Sequence, residues 1–286
     1  LKAANVMAHL FGRLEAESGD DAPSITVPHS VIHDCVNLLR RMLDGSDNGN
    51  LIAQCDSLRA ISISDANTPA LVEGDILGCI ALALTQGPEV VNQREGFHTG
   101  YNVPAAREAC LALLLNLALS DKTASAVLTD AALKGAIEQA LSDGSNLTPK
   151  ANKYISDIQF QLSLAADSSL AAERLKAAQA EAGEDDRHVM LSYCWAQQDV
   201  VVKIRQALGE RGLKIWLDLE QMQGSTVDAM ADAVDQSSFV CYGVSREYKE
   251  SANCKLEALY AHSAGVNMVP MMLSDNYKAN GWVSVA

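Results

Sequence analysis

Four short apolar runs, at residues 188–193, 214–218, 238–245 and 267–273, alternate with helical periodicity at 199–209, 226–236 and 253–264. No other pattern in the chain restricts its fold as much. Strands that follow one another only after a helix cannot close as hairpins, so they pair in parallel, with right-handed crossovers and helices on both faces. Ligands of such sheets bind beyond the carboxyl ends of the strands. One carboxylate is directed there. After the apolar residues 239–244 comes a polar loop, 245–252, and then a helix with Leu256, Leu259, Tyr260 and Ser263 on one face. Glu257 lies just off the edge of that stripe, in the first turns. The spacing fits an acid aimed into a crevice, and it equally fits an acid that opposes the helix dipole.

Everything before about residue 165 reads as helices joined by short polar turns. Apolar residues recur at helical spacing near 2–17, 29–43, 50–62, 68–85, 104–120, 130–142 and 149–164, separated by stops such as Asp44-Gly45, Gly87-Pro88 and Asp143-Gly144. An internal repeat is visible. Leu71, Glu73, Ile76, Gly78, Cys79, Ile80, Ala83 and Leu84 match Leu128, Asp130, Leu133, Gly135, Ala136, Ile137, Ala140 and Leu141 at a constant offset of 57. Without the loop at 86–103 the period falls near the roughly 40–47 residues of armadillo or HEAT units. The segment resembles armadillo repeats, with residues 111–118 similar to the third helix of a unit. A stack of such units is an armadillo/HEAT-like α-solenoid over 1–164, whose groove takes a peptide or small-molecule ligand. Asn116 on the long apolar helix reads as a ligand-facing residue or as one that satisfies neighbouring backbone.

At 286 residues and 48% apolar content the chain has material for about two cores. No run approaches the roughly 18 apolar residues of a membrane span. The net charge of −14 argues against nucleic acid and anionic membranes as partners. Seven Cys without a CxxC pair, Cys35, Cys55, Cys79, Cys110 and Cys241 among them on apolar faces, read as small buried hydrophobes of a reducing, cytoplasmic compartment. His29 and His33 are spaced i, i+4, but no further ligand completes a metal site. Residues 165–187 are strong helix formers ending in Gly183 and the acidic patch 184–186, with too few apolar residues to bury a face. They read as a helical linker. Leu1 is not Met, so the chain is expected to start inside a longer protein.

The second domain, 188–286, resembles a TIR domain. The resemblance rests on residues 189–193, on 212–218, on the loop 219–225 with Gly224, and on Asn253-Cys254-Lys255-Leu256-Glu257. A helical array joined to a TIR domain is similar to ARM-TIR proteins and to the animal axon-degeneration NADase, although the SAM modules of the latter have no counterpart here. The resemblance implies a flavodoxin-like parallel sheet, strand order 2-1-3-4-5, and NAD+ glycohydrolase activity with Glu257 as the catalytic residue. It implies NAD+ as substrate rather than cofactor, and a loop around Gly224 that governs self-association through TIR domains. A role in signalling, innate immunity and cell death goes with it. A non-catalytic adaptor is the alternative. For substrate contacts, Glu220 matches a position near the ligand. Trp195 is placed to stack on a base with support from Tyr193, or to pack at the rim. Lys255 is placed to meet phosphate, or to stand exposed on its helix. The sequence ends four residues after Trp282, short of the final helix expected of such a domain.

Overall fold

The computed structural model describes residues 26–47, 49–86, 103–143, 146–167, 170–181, 187–217, 227–274, 277–279 and 281–284. The chain forms two compact units, Leu1–Leu162 and Ser163–Ala286. The helix expected near 2–17 and the loop from 87 to 102 lie outside the described residues.

The first unit is helical: α1 (His29–Asp44), α2 (Leu51–Ser62), α3 (Thr68–Glu73), α4 (Ile76–Thr85), α5 (Val103–Ala118), α6 (Ala124–Thr129), α7 (Ala131–Ser142) and α8 (Pro149–Ala166). The expected single helix over 68–85 is two. Gly74 and Asp75 interrupt it, with Asp75 in the left-handed region at φ 68°, a conformation that Asp tolerates better than most residues. Arg40 holds the corner by donating to the Gly74 carbonyl at 3.2 Å and to the Asp75 carboxylate at 2.9 Å. The sequence repeat reappears as a repeat of elements. Short α3 followed by α4 and α5 corresponds to short α6 followed by α7 and α8, with α4 packed on α1 and α7, and α2 on α5. Ile76, Cys79, Ile80 and Ala83 are buried, as are their counterparts Leu133, Ala136, Ile137 and Ala140. Asn116 donates to Ser62 Oγ at 3.0 Å and to the Arg59 carbonyl, tying α5 to α2. The Cys55 and Cys110 sulfurs meet at 3.6 Å in this interior. All seven cysteines are free thiols, and burial pushes those of Cys35 and Cys79 up to about 11.

The second unit opens on the last residues of α8, 163–166, and continues through α9 (Leu170–Glu181), β1 (His188–Ser192), a 3₁₀ turn (Trp195–Gln197), α10 (Gln198–Gly209), β2 (Ile215–Trp216) and α11 (Val227–Asp235). It then runs through β3 (Ser237–Val244), α12 (Arg246–Glu250), α13 (Ala252–Ala264), β4 (Asn267–Met272) and a 3₁₀ turn (Gly281–Ser284). The four strands are parallel in the order β2-β1-β3-β4, as the alternation requires; a fifth strand is not among the described residues. Side chains alternate across the sheet. Leu191 and Tyr193 pack with Val201 of α10 on one face. On the other, Tyr242 and Val244 pack with Tyr248 of α12 and Cys254 of α13, and α11 lies against β3. Coverage of both faces is incomplete at the β3–β4 edge, where Phe239 is 45% and Val269 42% exposed; α10 packs at β2 instead.

The connector differs from its expected character. Helix α9 packs on α11 and α13, with Ala171 and Leu175 buried. Two apolar positions suffice because alanine permits close approach and an arginine between them reaches the facing helices.

Candidate functional site

Ser192 is the last residue of β1 and pairs in register with Tyr242 of β3. The crevice between strands 1 and 3 is the switch point of this strand order, and the chain leaving β3 is shaped to face it. Ser245 caps α12 by accepting from the Tyr248 N–H at 3.1 Å, and six residues on Ser251 caps α13 by accepting from Cys254 at 3.3 Å. Two helix starts in tandem thus occupy what the sequence reads as a polar loop. The first carries Tyr248 inward, where it is fully buried, and the second carries Glu257.

Glu257 is the sixth residue of α13 and 9% exposed. That is beyond the first turn, where an acid gains from the helix dipole, and burial of a carboxylate is costly unless it is hydrogen-bonded. Its partner is Ser192, whose hydroxyl donates to Oε2 at 2.6 Å. Ser192 Oγ also lies 2.7 Å from the Tyr248 hydroxyl. A serine has one proton, and with that proton on Glu257 the second bond runs from Tyr248 to Ser192. The phenol, the hydroxyl and the carboxylate form a chain of charge-assisted character. Burial, and then the charges of Cys254 and Glu257, push Tyr248 well above the usual phenol value, so it remains a donor. Burial and then Glu257 likewise push the Cys254 thiol up, and its sulfur donates weakly to the Tyr193 carbonyl at 3.6 Å. The thiol is therefore no nucleophile.

Gln197, in the turn after β1, donates to the Glu247 carboxylate of α12 at 2.9 Å, bridging the two strand exits. Hydrogen bonding by its own backbone N–H, with help from Ser245 and Gln197, holds Glu247 below the usual carboxylate range against a desolvation cost. From below, the Trp282 ring lies 5.7 Å from that of Tyr248, and its indole donates to the Lys249 carbonyl at 3.2 Å.

The residues expected at the site are only partly brought together. Trp195 opens the turn after β1 and is 36% exposed. The ring of Tyr193 is buried beside Val201, on the sheet face opposite Ser192, so its carbonyl and not its ring turns toward α13. Lys255 is half-buried on α13, and two residues from Glu257 the side chains diverge around the helix. Glu220 and Gly224 lie outside the described residues. Sequence reasoning missed Ser192 and Tyr248. The signal for Ser192 was a hydroxyl closing an otherwise apolar strand; for Tyr248 it was the aromatic three residues after Ser245, the spacing of a helix cap.

Neither the curated proteins nor the solved structures give a match to this chain. The family model described as TIR domain matches residues 189–284, from β1 through the closing 3₁₀ turn. Ser192, Tyr248 and Glu257 therefore all lie within a TIR domain.

Proposed function

We propose that the TIR domain cleaves the nicotinamide–ribose bond of NAD+, with Glu257 as the catalytic carboxylate. One observation carries the reading: a buried carboxylate, held by Ser192, at the carboxyl end of the sheet's first strand. Enzymes that split ordinary glycosides need a second carboxyl group to protonate an alkoxide. In NAD+ the leaving group is already a pyridinium. The bonding pair of the C–N bond passes to its nitrogen, and neutral nicotinamide departs. What the transition state requires is a fixed anion near the ribose, where positive charge grows, and Glu257 supplies one without reorganisation. Water then adds to the anomeric carbon and loses a proton, giving ADP-ribose; capture by an atom of the same nucleotide gives a cyclic product instead. Trp195 at the rim offers a stacking surface for a base.

TIR domains are modules of signalling and innate immunity that self-associate. Under this reading the helical unit is an armadillo-like array that binds a ligand in its groove and restrains the TIR domain. A scaffold that assembles without catalysis does not need an acid at this position, so Glu257 favours the enzyme over that alternative. Incubation of the full chain with NAD+ tests the reading. We expect nicotinamide release with ADP-ribose or its cyclic isomer, and turnover rising more steeply than protein concentration. Assembled protein that leaves NAD+ intact contradicts it.

A further inference from the structure

The helix that leads into the TIR domain is tied to the helix that carries Glu257. Arg174, midway along α9, donates from Nε to the Tyr260 hydroxyl at 3.2 Å and to Asp235 Oδ2 at 3.4 Å. From Nη2 it reaches Asp232 Oδ1 at 3.3 Å. Tyr260 is fully buried on α13, three residues after Glu257, and its hydroxyl donates to Asp235 Oδ1 at 2.8 Å. Asp235 ends α11, and its side chain is 4% exposed. One guanidinium therefore joins three helices, with buried Ala171 and Leu175 on either side of it along α9. The network differs from an ordinary surface ion pair in two respects. Asp235 is buried, and the hydroxyl belongs to a core aromatic, so if Arg174 leaves, a buried carboxylate loses its cationic partner.

We propose that α9 is a positioning strut of the Glu257 site, with Arg174 as a positioning residue, so that docking of this helix governs the catalytic competence of α13. The inference rests on the reading of Glu257 as the NAD+-cleaving carboxylate. With α9 docked, Asp235 has both its partners, Tyr260 is fixed, and the register of α13 against β1 is held. With α9 displaced, Asp235 keeps Tyr260 alone and the apolar contact around Ala171 and Leu175 opens. Glu257, one turn away on the same rigid element, then shifts against Ser192 and the substrate. Geometry of this kind is unforgiving, a displacement of about 1 Å costing on the order of 10²-fold in rate. Because α9 directly precedes the domain in the chain, tension or release applied from upstream reaches the site through it.

The test uses the full chain with Arg174→Met, which keeps the stem and removes the charge, Arg174→Lys, and Tyr260→Phe, which removes only the hydroxyl from the network. Steady-state NAD+ cleavage and hydrogen–deuterium exchange along the full chain, α13 at 252–264 included, are measured on each. For Arg174→Met and Tyr260→Phe we expect kcat to fall about tenfold or more with KM within about twofold, and faster exchange confined to α9, α11 and α13. Arg174→Lys recovers part of both. Unchanged kcat and unchanged α13 exchange in both variants overturn the proposal, as does faster exchange spread evenly over the whole domain, which would be plain destabilisation. If the parent protein leaves NAD+ intact, the functional reading fails by itself. Exchange in α13 then still decides whether α9 is a strut.

Discussion

At the scale of single residues, the site depends on a buried carboxylate that accepts from the Ser192 hydroxyl. Ser192→Ala removes a hydroxyl that both reaches Glu257 and accepts from Tyr248, taking one hydrogen-bond partner from each of two buried groups. A loss of about 1–3 kcal/mol of stability follows, together with reduced turnover, because the carboxylate is no longer held against β1. Denaturant melts beside NAD+ assays check this; a Ser192→Ala protein as stable and as active as its parent contradicts the geometry. His188 gives a prediction of the opposite chemical kind. Its Nε2–H donates to the Ala233 carbonyl at 2.9 Å, and burial, outweighing that bond, holds the imidazole below its ordinary value of 6.5. A group whose folded value is depressed stabilises the protein above its unfolded value and loses that contribution as pH falls through the folded value. The parent protein should therefore lose thermal stability as pH falls from 6.5 through the lower folded value, and His188→Gln, which retains an amide donor for Ala233, should lose less. Asp157 and Asp235, both raised mainly by burial, act in the reverse sense only at lower pH.

At the scale of elements, legibility followed periodicity. The strands at 188–192 and 267–272 and the helices α1, α2, α5, α7 and α8 lie close to where apolar spacing puts them, because burial of one face is what both sequence and structure encode. The break between α3 and α4 was not legible, since it depends on Arg40, 34 residues away from Gly74. Helix α12 was hidden for a related reason. Its five residues are too few for a period to show, and what starts it is the Ser245 cap. The packing of α9 was invisible because its docking rests on Arg174, a residue that any sequence reading assigns to solvent. Glu257 itself was legible as a candidate. That it is buried and bonded to Ser192 was not, because the two are 65 residues apart and meet only when β1 and β3 pair.

At the scale of the molecule, the two units divide the work under the proposed reading: the helical unit restrains, and the TIR domain cleaves. Since α9 packs on α11 and α13, a fragment that keeps the catalytic geometry begins at Ser163 and not at the first strand. Residues 163–286 should have higher specific activity than the full chain; equal or lower activity in the folded fragment argues against restraint by the helical unit. All of this stands on one charge. Glu257→Gln in the full chain preserves size and an acceptor for Ser192 and removes only the anion. We predict that NAD+ cleavage falls by roughly 10²–10³ while assembly is retained and the melting temperature does not drop. A Glu257→Gln protein that still releases nicotinamide at close to the parent rate contradicts the account.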